Sequence, residues 1–195
     1  METINIALCG LGGQGILFMT KVLAQAAMDK GFNIIGAETH GMAQRGGSVI
    51  SHLRIGDAES SLVRSGAANL LLALEENEGY RNLPLMADGA TIYANADNGQ
   101  FPREEVKDFL EKREISSHSV PAGTIALEHG APMSTNLALL GYFSAFGEGP
   151  VSGEELRATI ERISPDRFKE INLKVFDAGF KKGEEERQAS PALIL

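Results

Sequence analysis

The chain has 195 residues, 43% of them hydrophobic and 23% charged, with a formal net charge of −8. That length suits one domain with an ample core, and the acidity argues against nucleic acid or an anionic membrane as the main partner, since both need a basic surface. The single cysteine, Cys9, excludes an internal disulfide, and it excludes an iron–sulfur cluster held by this chain alone, which takes about four thiolates. Cys9 reads as a small buried apolar residue at the end of a strand. The acidic start Met1-Glu2-Thr3 and the short apolar run after it do not form a signal peptide. No stretch reaches the ~20 apolar residues of a membrane span, and the expected location is cytoplasmic.

Ile4–Cys9 predicts a first strand, and Gln14–Lys30 a helix with apolar residues near helical spacing, closed by Gly31. Between them lies Gly10-Leu11-Gly12-Gly13-Gln14-Gly15, in which Gly10, Gly12 and Gly15 match G-x-G-x-x-G. Such glycines permit a tight turn and a close backbone approach, and the free N–H groups at the helix start face an anion. Phe32–Ala37 predicts a second strand, parallel to the first through a right-handed β-α-β crossover.

Glu38–Gly47 is polar and glycine-rich without periodicity, and reads as a loop. Ser48–Ile55 alternates as a strand, Gly56-Asp57 turns, and Ser60–Val63 could be a short strand hairpinned onto it. Ala68–Leu74 reads as a buried parallel strand, Glu75–Leu83 as a helix ended by Pro84, and Ala90–Asn95 as a strand. Pro102 opens a helix with Glu104 and Glu105 in its first turn, where the helix dipole favours them. Ser117–Val120 predicts the last strand. Helices follow at Thr124–Glu128, Thr135–Phe146, Glu154–Ile163 and Asp166–Lys181. Ser152 and Glu155 have the spacing of a capping box, and Thr135–Phe146 is apolar enough to be an interface if exposed.

The fold class this order predicts is α/β, an open doubly wound, Rossmann-like, mostly parallel sheet with a helical C-terminal third. Residues 1–181 form one domain, and 182–195, charged and then small and apolar, read as a flexible tail.

Two chemistries compete for the glycine loop. A dinucleotide site wants an acid at the end of the second strand, and Glu38 stands there, 23 residues after Gly15. A free-standing NAD(P)-dependent oxidoreductase is therefore one reading. Against it, Gly13-Gln14 adds a fourth glycine and an amide at the mouth, and the dense loop after Glu38 would crowd an adenosine. His40, Gln44 and Arg45, flanked by Gly41, Gly46 and Gly47, point to a binding or docking surface. His52 reads as a satisfied structural histidine, and His118 and His129 lack ligand-like spacing, so no metal is assigned. There is no G-x-S-x-G elbow and no P-loop Lys-Ser or Lys-Thr.

Gly10–Gly15, Glu38–Val49 and Ser51–Gly56, taken together, resemble the gamma-type small subunit of the 2-oxoacid:ferredoxin oxidoreductases. The His-Gly-Met-Ala-Gln-Arg-Gly-Gly version at 40–47 is most similar to the beta subunit of the indolepyruvate:ferredoxin oxidoreductase branch, and the resemblance runs on through Asn69–Glu75 and Asn136–Gly141. It implies a subunit of an enzyme that oxidatively decarboxylates a 2-oxoacid, an aryl-pyruvate or other ketoacid, to acyl-CoA, with electrons passing to ferredoxin. It further implies that thiamine diphosphate and iron–sulfur clusters belong to a larger catalytic partner and that this chain is inactive alone. No thiamine motif is present here, since Asp88-Gly89 follows Ala87 and reads as a turn. The residues expected at the shared surface are Gly10, Gly12, Gly13, Gln14, Gly15, Glu38, His40, Gln44, Arg45, Gly46 and Gly47. Coenzyme A is the ligand that surface would meet, with the guanidinium of Arg45 on a phosphate or carboxylate.

Overall fold

The computed structural model describes residues 3–41, 46–96 and 101–189. Six strands are present: β1 (Ile4–Leu11), β2 (Ile34–His40), β3 (Ser48–Ile55), β4 (Ala68–Ala73), β5 (Met86–Asn95) and β6 (Ser116–Val120). The helices are α1 (Ile16–Asp29), α2 (Glu76–Asn82), α3 (Glu104–Lys112), α4 (Ala122–Glu128), α5 (Thr135–Ser144), α6 (Gly153–Ile163) and α7 (Asp166–Ala189). The strands form one sheet in the order β2-β3-β1-β4-β5-β6. β1–β4, β4–β5 and β5–β6 pair in parallel, while β3 is antiparallel to both its neighbours. The sheet is thus mostly parallel, as the alternation of strands and helices predicts, with one reversed strand.

That reversed strand corrects the β-α-β expectation. β1 and β2 point the same way, but β3 lies between them, so they share no hydrogen bonds. The hairpin is β2–β3, with Thr39 opposite Ile50 and His40 opposite Val49. Ser60–Val63 is not a strand. Side chains hold it instead: Arg54 donates to the carbonyl and hydroxyl of Ser60, and the N–H of Val63 donates to Nδ1 of His52 at 3.3 Å.

Alternation decides which helices cover which face. Ile6, Leu8, Leu70, Leu72, Tyr93 and Val120 face the layer built by α1 and α4–α7. Ala7, Cys9, Leu71, Ala73 and Ile92 face the other layer, which includes Leu83 and Leu110. Helix α5 is the centre of the larger layer. Every residue from Asn136 to Ser144 is buried, so it is a core helix and not the interface its composition allowed. It lies against α7 at backbone distance. A Cβ on Gly141 would stand 2.9 Å from the Phe180 nitrogen, and one on Gly183 would stand 2.5 Å from the Tyr142 carbonyl. Only glycine fits so close an approach.

Helix α7 also runs past Lys181, where the sequence places the start of a tail, to Ala189. Glu186 is fixed there, accepting from the Tyr142 hydroxyl at 2.6 Å and lying 3.2 Å from Nδ1 of His118. The Ser152–Glu155 capping box is present in both its hydrogen bonds. No helix among the described residues is long and apolar enough to cross a membrane.

Candidate functional site

In an open α/β sheet, ligands meet the carboxyl edge where neighbouring connections leave toward opposite faces. Here that point lies between β1 and β4, because β1 leads to α1 on one face and β4 to α2 on the other. β3 begins at the same edge because it is antiparallel, and Ser48 stands opposite Leu11. The two glycine-rich loops are therefore neighbours, although they are separate in sequence.

They are joined through their backbones. The N–H of Gly12 donates to the Gly47 carbonyl at 2.8 Å, and the N–H of Gly46 donates to the Gly12 carbonyl at 3.4 Å. At the far end of the second loop, the Gly41 N–H donates to the Ser48 carbonyl at 2.8 Å. Gln44 and Arg45 lie between these anchors but outside the described residues.

The predicted site residues divide by what they do. Gly10 is buried on β1, and a Cβ there would lie 2.6 Å from Oε1 of Gln14 and 3.0 Å from Cβ of Leu74, so it serves packing. Gln14 turns its amide oxygen inward. Its Oε1 accepts from the Leu11 N–H at 2.7 Å and closes the turn from inside. Gly13 is the exposed tip, at φ 101°, with open space around it. Gly15 is the N-cap of α1 at φ 80°, and the first helical bond runs from Met19 N–H to its carbonyl. The N–H groups of Ile16, Leu17 and Phe18 precede that bond and have no partner within the helix.

Glu38 and His40 sit on β2 and form an exposed pair at 3.6 Å. A surface pair of this kind contributes at most about 1 kcal/mol. It is two strands from β1, about 10 Å at normal strand spacing, with β3 between. Glu38 therefore cannot serve a ribose whose pyrophosphate sits on the β1 loop, and the Gly12 N–H that a pyrophosphate would need is already given to Gly47. The nicotinamide reading fails on this geometry.

Two features of the site are not visible in local sequence. The Ser48 hydroxyl donates to Oε2 of Glu78 at 2.6 Å, and Arg81 pairs with Oε1 of the same carboxylate at 3.1 Å. Glu78 is 3% exposed, so this bond ties the start of β3 to α2 on the opposite face. Asn136, on the first turn of α5, donates from Nδ2 to the Gly15 carbonyl at 2.9 Å across 121 residues of sequence. Only the long-range fold reveals either contact. A cavity of about 320 Å³ adjoins the loop, lined by Gly13, Gly15, Phe18, Met133, Asn136 and Phe168 among others.

The remaining candidate groups are structural. Cys9 is fully buried, and burial pushes its thiol well above its ordinary range. Burial holds His52 below its ordinary pKa, and its Nδ1 accepts from the backbone. No group of three or more His, Cys, Asp or Glu side chains is placed to hold a metal among the described residues. Cys9 alone, sealed in the core, does not fit a cluster.

A mixed sheet with a hydrogen-bonded pair of glycine loops at its carboxyl edge defines the class. The chain belongs to the pyruvate ferredoxin/flavodoxin oxidoreductase family, whose model matches residues 5–182. It is 36% identical over 187 residues to indolepyruvate oxidoreductase subunit IorB of Methanothermobacter thermautotrophicus, covering 90% of this chain and 95% of that one. Its fold matches the keto/oxoacid ferredoxin oxidoreductase gamma subunit of Geobacter sulfurreducens at TM-score 0.71 and 24% identity, over 92% of this chain and 98% of that one. It also matches a 2-oxoglutarate:ferredoxin oxidoreductase from Magnetococcus marinus at TM-score 0.76 and 18% identity, over 95% of this chain but 32% of that longer one. The Magnetococcus structure has 2-oxoglutarate, coenzyme A and succinyl-CoA bound. The relatives are subunits of 2-oxoacid:ferredoxin oxidoreductases, in agreement with the resemblance in the two loops.

Proposed function

We propose that this chain is the non-cluster subunit of a 2-oxoacid:ferredoxin oxidoreductase, with an aryl-pyruvate as the preferred substrate class. It works in the cytoplasm beside a larger catalytic subunit and is inactive alone. Thiamine diphosphate and iron–sulfur clusters, carried by that partner, supply the carbon–carbon cleavage and the electron transfer to ferredoxin. This chain supplies the wall on the coenzyme A side.

The observation that carries the reading is the backbone pairing of Gly12 with Gly46 and Gly47. It merges two loops into one surface while leaving the tip at Gly13 open. The first N–H groups of α1 give that surface a positive dipole end, suited to a phosphate or carboxylate. The anion contact is assigned to Arg45, which immediately precedes Gly46 in the sequence. A guanidinium there pairs bidentately with a phosphate and needs no proton transfer. Glu38 and His40 stand at the margin of this surface and Gln14 supports it from within.

The test is Arg45→Ala in the assembled enzyme. Loss of one charge-assisted contact should raise the Michaelis constant for coenzyme A by about tenfold or more. Unchanged Michaelis constants for coenzyme A and the 2-oxoacid would remove the assignment.

A further inference from the structure

Asn136 reaches from the helical C-terminal third to the glycine loop. It is the second residue of α5 and is 3% exposed. Its Nδ2 donates at 2.9 Å to the Gly15 carbonyl, the same oxygen that accepts the first bond of α1 from Met19 at 3.1 Å. A Cβ on Gly15 would lie 2.6 Å from that Nδ2. The bare glycine in its left-handed conformation and the buried amide therefore fit only together. Helix α5 gives the amide a fixed base, being buried along its length and held to α7 through Gly141, Gly179 and Gly183. At the tip of the loop, a Cβ on Gly13 would meet nothing within 4 Å.

A second buried asparagine shows what a purely structural amide does in the same place. Asn172 lines the same cavity, accepts from the Ser134 hydroxyl at 3.0 Å and donates to the Ser164 hydroxyl at 3.1 Å. Those bonds stay within the C-terminal third and do not touch the loop. Asn136 instead donates to the Gly15 carbonyl, which shares one planar trans peptide with the Ile16 N–H at the start of α1.

The geometry points to Asn136 as a positioning residue for the anion carried at the glycine loop. By fixing the Gly15 carbonyl, it fixes the Ile16 N–H of the same trans peptide in the opposite direction, toward the ligand. Preorganised donors bind more tightly because the ordering cost is met in folding and not in binding. This inference rests on the reading of the loop as the coenzyme A side of the shared surface.

The experiment compares the assembled enzyme carrying Asn136→Ala, Asn136→Asp or Asn172→Ala with the unaltered enzyme. Hydrogen exchange over residues 12–18 and steady-state kinetics with coenzyme A are both measured. Each Asn136 variant should exchange faster in that segment and raise the Michaelis constant for coenzyme A by about 5- to 10-fold, the effect of one buried hydrogen bond. Turnover at saturating coenzyme A should stay within about twofold, as for loss of uniform binding. Asn172→Ala should lower the melting temperature without moving either loop readout. If Asn172→Ala matches the Asn136 variants, the role is structural and the inference falls. Faster exchange with an unchanged Michaelis constant also overturns it. In that case Arg45→Ala separates the causes. A shift with Arg45→Ala leaves the loop reading standing and removes only Asn136, and no shift removes both.

Discussion

Gly179→Ala is the substitution that most sharply tests the packing beneath the site. Gly179 lies on α7 where it crosses Ala138 of α5, and a Cβ there would lie 2.8 Å from the Ala138 carbonyl carbon and 2.9 Å from its Cα. Carbon atoms settle at about 3.5–4.0 Å, so α7 would have to retreat by about 1 Å. The obstacle is backbone and cannot rotate away. Retreat would loosen Val175 and Phe176, both buried against the same core. Overpacking of this kind costs about 3 kcal/mol, offset by under ~1 kcal/mol from the better helix propensity of alanine. The net loss of about 2 kcal/mol should lower the melting temperature by about 4–8 °C for a domain of this size. The assay is a thermal melt followed by circular dichroism, with urea unfolding to show a lower midpoint at an unchanged slope. A variant as stable as the parent, or more stable, would refute the close α5–α7 approach and with it the rigid base assigned to Asn136.

Two further outcomes follow from buried titratable groups. Cys9 should resist alkylation in the native protein, since burial raises its thiol pKa and denies access, and should label at once in denaturant. Native labelling on the time scale of a free thiol would contradict its placement. His52 should make stability fall in mild acid. Burial lowers its folded pKa, so the unfolded chain binds the proton more readily. Its stabilising contribution is whole above the unfolded value of about 6.5 and is lost as pH drops below that toward the folded value. His52→Asn should flatten that part of the pH–stability profile, and an unaltered slope would assign it elsewhere.

Local chemistry made much of this fold legible. Apolar runs located the strands, Gly31 ended α1, and Ser152 with Glu155 announced α6 through a capping box that the structure contains. Strand order was not legible. Nothing within Ile34–His40 says that Ser48–Ile55 will come between it and β1, because pairing is a choice among distant partners. That one insertion changed the meaning of Glu38, which looks like a ribose ligand by spacing and lies two strands away in space. Helix α5 posed the opposite difficulty. Its all-round apolarity fits either an interface or a core, and only the glycines facing it from α7 decide for the core. The bonds from Asn136 to Gly15 and from Ser48 to Glu78 join segments 121 and 30 residues apart, beyond the reach of any local pattern.

Subunit omission tests the central claim most directly. This chain, its larger partner and the reconstituted pair are each assayed for coenzyme A-dependent oxidation of an aryl-pyruvate with ferredoxin as acceptor. The account predicts no turnover from this chain alone, with no saturable nicotinamide binding, and full coenzyme A-dependent turnover only when the two are combined. Turnover by this chain alone, or full coenzyme A-dependent turnover by the partner without it, would contradict the account.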